Sequence, residues 1–342
     1  MFKLSAIGLL AIAACFILVT PNAVQAQPVV TEYLGNRIPT KIETLYVKGI
    51  NYLKDIQTDK GSFGSARYGN QSGVVGMGVL AMLAHGEDPN FGPYSKNISG
   101  GIDYIITNAR PSNGYLGESM YNHGFATLAL AEAYGTVDND KIGPALQKAV
   151  DMLLTSQENN PRGGWRYSPE SSDADSTVSG AQLMALLAAR NAGIEIPDKA
   201  IERGLQYMKS CQDSSGGIGY TRSGGGNSPR TAIATTVYGI AHKKDTPEFK
   251  SAFRFLKQSG YSMSSYPYYN LYYSSQAYFH ASTLESGMMK EWAVWNDQNV
   301  RQLELSQLPD GNWDGSHGPV FSTSAALLSL ALNYRLLPIY ER

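Results

Sequence analysis

The chain has 342 residues, a net charge of −1 at neutral pH, 43% hydrophobic residues and 22 tyrosines. So near-neutral a balance argues against a general affinity for nucleic acid or anionic membrane, since both need basic patches. Its cysteines are Cys15 and Cys211. With the first lost on export, the mature chain has no internal disulfide and must be held by its core alone.

Residues 1–26 predict a secretory signal peptide. Lys3 gives the positive start, Ala6 to Thr20 is an unbroken apolar run, and Val24-Gln25-Ala26 offers small residues for cleavage. The run is short for a membrane span, and no later stretch is long and apolar enough to form one. An alternative is a lipoprotein anchored at Cys15, because Ile12-Ala13-Ala14-Cys15 resembles a lipoprotein box. Phe16-Ile17-Leu18-Val19, however, continues the apolar run where polar residues usually follow a lipidated cysteine. The expected location is periplasmic or secreted, where an envelope protein partner is possible. Residues 27–40 read as an extension and 41–342 as one folded domain.

A phrase recurs along that domain at roughly 50-residue intervals, the mark of a repeat architecture. It consists of an amphipathic helix ending near Gln, a glycine loop with an aromatic residue, and a second helix. The first copy has Tyr52-Leu53, Gln57 and Gly61-Ser62-Phe63-Gly64. The second lacks the Gln but closes with Gly114-Tyr115-Leu116-Gly117. The third carries Gln157 and Gly164-Trp165-Arg166-Tyr167, and the fourth Gln212 and Gly217-Ile218-Gly219-Tyr220. The fifth is degenerate, with Gln258 but a tyrosine-rich segment in place of the glycine loop. The sixth restores the phrase as Gln307 and Gly311-Asn312-Trp313-Asp314-Gly315.

The two helices of each repeat differ in character. Val74 to Leu83, Phe125 to Tyr134, Ala181 to Ala189, Ala232 to Ala241 and Ala325 to Leu332 are apolar or small almost all round, so they are expected to be buried on every side. Ile142 to Gln157 and Asp198 to Cys211 carry charge on one face and belong outside. Six hairpins of this kind predict an all-α fold of two concentric rings, a single α6/α6 toroid. An open superhelix would leave the ends of the apolar layer bare.

The phrase resembles the QW repeat of squalene cyclases and of the wider terpenoid cyclase and protein prenyltransferase superfamily. The resemblance runs from about Lys41 to Leu337, with good copies in all repeats but the fifth. It implies the α/α toroid, with Gln tying adjacent loops, Gly permitting the turn and Trp or Phe plugging the gap between hairpins. Asp173-Ala174-Asp175-Ser176-Thr177 resembles the Asp-x-Asp-Asp-Thr motif of squalene-hopene cyclases, whose middle acid protonates an alkene. The resemblance places Asp175 on that acid and Asp173 on the first Asp, while Ser176 replaces the third. The same residues, standing just before an apolar helix, also read as N-caps. The zinc site of the prenyltransferases is not matched: Cys211 follows Lys209-Ser210, and His317 has no ligand partners in sequence. No metal and no cofactor are expected.

In such a toroid the inner helices run parallel, so their N-termini and the preceding loops gather at one end. The candidate ligand contacts are therefore Tyr121 and His123, Trp165 and Tyr167, Arg230, the fifth-repeat residues Tyr269, Tyr272 and Gln276, and His317. The fifth repeat also supplies Tyr266, Tyr268, Tyr273, Tyr278 and His280, with Trp292 and Trp295 expected before the last outer helix. Dense tyrosines stabilise cations, stack on sugar rings or simply fill a core. Arg230 needs an anionic partner, either Asp175 or a ligand carboxylate. Three functions fit these residues. One is a terpene-cyclase-like enzyme with Asp175 as acid. Another is a polysaccharide hydrolase or lyase drawing on Asp173, Asp175, Glu118 and Arg230. The third is a non-catalytic envelope protein that binds a lipid, isoprenoid or carbohydrate ligand.

Overall fold

The structure, a computed structural model, describes residues 38–64, 67–263, 266–284 and 286–340. The predicted export signal, Cys15 and residues 27–37 of the expected extension lie outside the described residues. Among the described residues twelve α-helices form six hairpins. They are α1 (Thr40–Ile56) with α2 (Ser72–Leu83), α3 (Ser95–Thr107) with α4 (Met120–Ala133), and α5 (Ile142–Glu158) with α6 (Ser176–Asn191). The second half has α7 (Asp198–Ser210) with α8 (Ser228–Ile240), α9 (Pro247–Ser259) with α10 (Pro267–Ser282), and α11 (Ser286–Ser306) with α12 (Pro319–Ala331). A 3-10 turn follows at Pro338–Tyr340. Among the described residues there is no β-sheet; isolated bridges at Ala109–Leu116 and Gln212–Ile218 pin two of the glycine loops.

The even-numbered helices pack in order, and α12 packs back onto α2. The inner layer is thus a closed ring, and the superhelix alternative is excluded. Composition explains the layering. In α2 every residue from Ser72 to Met82 is buried, so no face is left for water. In α7 the buried set is Ala200, Ile201, Gly204, Tyr207 and Met208, a single stripe at helical spacing. Close approach of inner helices depends on small residues. A Cβ on Gly180 would lie 2.0 Å from the Ile233 side chain, so α6 meets α8 there only because position 180 has none.

The repeated glutamines act as clasps. Gln157 Nε2 donates to the Gly163 carbonyl of its own loop (2.8 Å) and to Ala200 of the next outer helix (2.9 Å). Gln57 does the same with Gly61 and Asn97, and Gln212 with Gly216 and Glu248. Gln307 donates to Gly311 (2.8 Å) and across the seam to Leu45 of α1 (2.9 Å). Each clasp satisfies two carbonyls with one amide, at a net gain of about 1 kcal/mol per bond. The tryptophans plug as expected: Trp165 and Trp313 are buried, and their indole N–H groups donate to Leu153 and Leu303.

Two expectations need correction. The tyrosine-rich segment of the fifth repeat is not a loop but the inner helix α10 itself, buried along most of its length. Its Tyr, Ser and Asn side chains have modest helix propensity, yet ring burial and a proline at the first turn decide the conformation. Trp292 and Trp295 lie within α11, the last outer helix, rather than before it. Gln258 is exposed at the end of α9.

The 3-10 turn packs against α6, and Ile339 N–H donates to Glu132 at the end of α4. Tyr340 is buried there. The turn closes the end of the ring opposite the inner-helix N-termini.

Candidate functional site: a tyrosine-walled cavity

The open end of the ring holds a cavity of about 700 Å³ to which all six hairpins contribute. Its wall contains Val74 and Met77 of α2, Phe125 of α4 and Phe321 of α12. Tyr68, Tyr121, Tyr167, Tyr220, Tyr266 and Tyr269 ring it, with Asn122, Thr177, Asn227, Arg230 and His317 among them. Of the candidate ligand contacts named from the sequence, Tyr121, Tyr167, Arg230, Tyr269 and His317 meet here, joined by Tyr266 of the fifth repeat.

The tyrosines form a connected layer. The Tyr121 and Tyr269 hydroxyls lie 3.4 Å apart, and Tyr167 and Tyr220 join across the mouth at 2.7 Å. The Tyr121 and Tyr167 rings lie 5.9 Å apart and link the two pairs. Burial pushes the pKa values of Tyr121 and Tyr269 well up, so both remain hydroxyls. His317 stands against Tyr266 (5.3 Å) and Phe321 (4.9 Å). Burial, with Arg67 nearby, lowers its pKa and favours the neutral ring.

Tyr272 and Gln276 lie deeper, outside the lining. Tyr272 packs on Phe125 and Tyr273, and the Gln276 amide donates to the Tyr272 carbonyl (3.0 Å).

Two expected ligand contacts are structural instead. His123 is fully buried; its Nδ1 accepts from Leu116 N–H (3.0 Å), and Nε2 bonds the Ala149 carbonyl (3.0 Å). Other repeats use a hydroxyl for the first of these bonds. Ser179 accepts from Trp165 N–H, Thr231 from Ile218 N–H and Thr323 from Trp313 N–H. His123 thus ties the loop to the inner helix, where a sequence reader sees a lone polar residue near a helix start. Trp165 is the plug already described.

The aspartates also separate. Asp175 is the N-cap of α6: its Oδ1 accepts from Thr177 N–H, Val178 N–H and the Thr177 hydroxyl at 2.9, 2.9 and 2.5 Å. Its side chain is wholly buried, with Arg166 Nε 3.6 Å from Oδ2. Asp173 is largely exposed and meets the same guanidinium at 3.4 Å. The partner of Asp175 is therefore Arg166, not Arg230. Arg230 donates to the carbonyls of Ile218 (3.1 Å) and Gly225 in its own loop. Arg166 also stands 5.3 and 5.2 Å from the centres of the Tyr167 and Tyr220 rings, bracing the mouth. It was missed in sequence although it follows Trp165 directly and stands in the same loop as both aspartates.

All three hydrogen bonds to Asp175 fall on Oδ1, while the buried Oδ2 has no hydrogen-bond partner among the described residues and faces only the Arg166 guanidinium. Among the described residues lining the cavity there is no Asp or Glu, and Glu118 is exposed outside it. Two carboxylates flanking a bond, as glycoside hydrolysis requires, are not assembled here. What the described lining offers is apolar wall, aromatic faces, hydroxyls, side-chain amides, the His317 imidazole and the Arg230 guanidinium.

Residues 71–242, half of the chain, match the squalene-hopene cyclase C-terminal domain family. The chain belongs to that family. The match runs from α2 through α8 and includes the Asp173–Thr177 segment. Squalene–hopene cyclase of Bradyrhizobium diazoefficiens is 26% identical over 129 residues, covering 36% of this chain and 19% of that enzyme. This member of the squalene-hopene cyclase C-terminal domain family thus matches about a fifth of that relative's length.

Solved structures extend the likeness to the whole ring. A type II terpene cyclase from Scytonema, in complex with geranylgeranyl dihydroxybenzoate, superposes with a TM-score of 0.59 at 17% identity, covering 87% of this chain and 98% of that one. An α-1,6-mannanase of Salegentibacter sp. HEL1_6, in complex with α-1,6-mannotetrose, gives 0.65 at 9% identity over 86% and 99%. At these identities the likeness establishes the architecture alone.

Proposed function

We propose that this squalene-cyclase-like ring is a binding protein that holds a ligand with an apolar body and a polar end in its cavity. One observation carries the reading: the lining is aromatic, apolar and hydroxylic, with no carboxylate among its described residues. Val74, Met77, Phe125 and Phe321 suit the apolar body, while Arg230, Asn227 and the rim hydroxyls suit the polar end. An isoprenoid or lipid has this form. Alkene protonation by Asp175 is disfavoured, because Oδ1 is engaged as a cap, Oδ2 faces Arg166, and the carboxylate is not among the lining residues of the cavity. A carbohydrate is the second reading, favoured by the rim rings Tyr68, Tyr167, Tyr220 and Tyr266, whose faces suit sugar stacking. Lys3 and the Ala6–Thr20 run support placing the protein in the periplasm or outside the cell, where an envelope partner would meet it.

Native mass spectrometry of the protein purified from its own envelope, followed by denaturing extraction, tests this. A co-purifying lipid or isoprenoid that is lost from a Phe125→Ala, Arg230→Gln variant supports the first reading, and a sugar supports the second. Cyclisation of an isoprenoid substrate, abolished by Asp175→Asn, would overturn the binding-protein reading.

A further inference from the structure

Away from the cavity, the outer wall carries a groove of about 580 Å³ between loop 161–163, α7 and the start of α9. A second concavity of about 490 Å³ continues it and shares Glu248. Along this band stand Arg162, Lys199, Arg203, Lys209, Lys243, Lys250 and Arg254, opposed only by Glu202, Asp245 and Glu248. Seven cations face three carboxylates in a chain whose overall charge is −1. The excess is not neutralised internally. Lys209 pairs with Glu248, and Arg203 donates to the Asn160 carbonyl (3.1 Å). Among the described residues, Arg162, Lys199, Lys243, Lys250 and Arg254 have no carboxylate within ion-pairing distance.

Grooves between outer helices come with the repeat, so the charge is the distinguishing feature. At the equivalent position between α11 and α1 the groove is about 460 Å³ and holds Lys41 and Lys48, with Lys41 paired to Glu304 at 2.8 Å. The floor differs as well. Tyr238 of α8 lies beneath the basic groove, almost wholly buried, and its hydroxyl has no protein partner.

We propose that this band is a binding site for a linear anionic glycan, whose sulfate or carboxylate groups pair with Lys199, Lys243 and Arg162 while the chain follows the groove. Lysines held apart on flexible stems suit point anions spaced along a polymer. A single-stranded nucleic acid wants exposed rings to stack its bases, and neither concavity offers one. A bilayer surface wants protruding apolar side chains, and this surface is recessed. The site is independent of the central cavity and of what that cavity holds.

The test uses the full mature chain with isomaltohexaose and its sulfated form as probes, titrated calorimetrically at low salt and at about 150 mM salt. The sulfated hexasaccharide should bind, more weakly as salt rises, and the neutral one should not. Lys199→Glu with Lys243→Glu should weaken binding at least tenfold, while Lys41→Glu with Lys48→Glu at the other groove leaves it unchanged. Melting curves confirm that both variants are folded. Equal loss in the two double variants would reduce the effect to diffuse attraction and overturn the proposal. So would absence of binding at low salt, or a single-stranded DNA oligomer binding as tightly as the glycan.

Discussion

Acid should loosen this ring through His123. The clasp needs the neutral imidazole, because a protonated Nδ1 would face the Leu116 N–H instead of accepting from it. Burial pulls the folded pKa down to about 4, whereas an unfolded chain titrates near about 6.5. As pH falls through 6.5 the unfolded state takes up a proton and the folded state does not. The stabilisation is therefore complete above about pH 6.5, drains away between about 6.5 and 4, and changes no further below. Between pH 7 and 4.5 the loss from this one residue is about 2.5 kcal/mol. His280, lowered to about 3 by burial and then by Lys244 and His242, gives a similar loss over the same interval. Replacing His123 by Asn removes both bonds and should cost about 2–3 kcal/mol at pH 7. At pH 4.5 the wild type has already lost that much, so the gap should shrink below about 1 kcal/mol. Urea unfolding followed by tryptophan fluorescence measures both gaps. A gap of the same size at the two pH values would refute the clasp.

Other substitutions probe the ring's construction. Gln307→Ala opens the seam between the last and first hairpins and should destabilise by about 2 kcal/mol in urea, while Gln258→Ala, at an exposed position, stays within about 0.5 kcal/mol. Gly180→Ala drives a methyl into the Ile233 Cγ2 and should cost about 1–3 kcal/mol by thermal melting, with partial recovery when Ile233→Leu, which lacks that branch, is added. Asp175→Ala uncaps α6 and leaves Arg166 without its buried partner, a loss of about 2–4 kcal/mol. Asp175→Asn keeps an acceptor for the cap and should lose less, and Asp173→Ala should lose almost nothing; equal losses in all three would contradict the assignment of roles.

The ring was legible because its signal is periodic. All-round apolar segments could only be buried, and charged faces such as that of α7 could only be outside. The glutamines were readable for the same reason, since Gln57, Gln212 and Gln307 stand four residues before their loop glycine and Gln157 six. The fifth hairpin was not, because α10 reaches burial with tyrosines and serines whose hydroxyls resemble a loop in sequence. The site was half legible. Helix polarity placed Tyr121, Tyr167, Arg230, Tyr269 and His317 at one mouth. Polarity alone cannot distinguish a side chain that faces the lumen from one turned into the wall, and so His123 was placed at the mouth. The partner of Asp175 depended on how loop 164–173 folds back on itself, which no periodicity reports.

The Gln307 bond to Leu45 makes the first and last hairpins neighbours. In an open solenoid each unit rests on the one before, and ends fray independently. Here no hairpin is terminal, and the inner faces of α2 and α12 stay uncovered until the whole domain has been made. Completion must therefore be late and cooperative, since the closing contacts span 262 residues at Gln307–Leu45 and 291 at Tyr334–Glu43. A growing chain would carry an adhesive edge until its final helix arrives, and a chain relinked head to tail and reopened at any other inter-hairpin loop should reach the same ring.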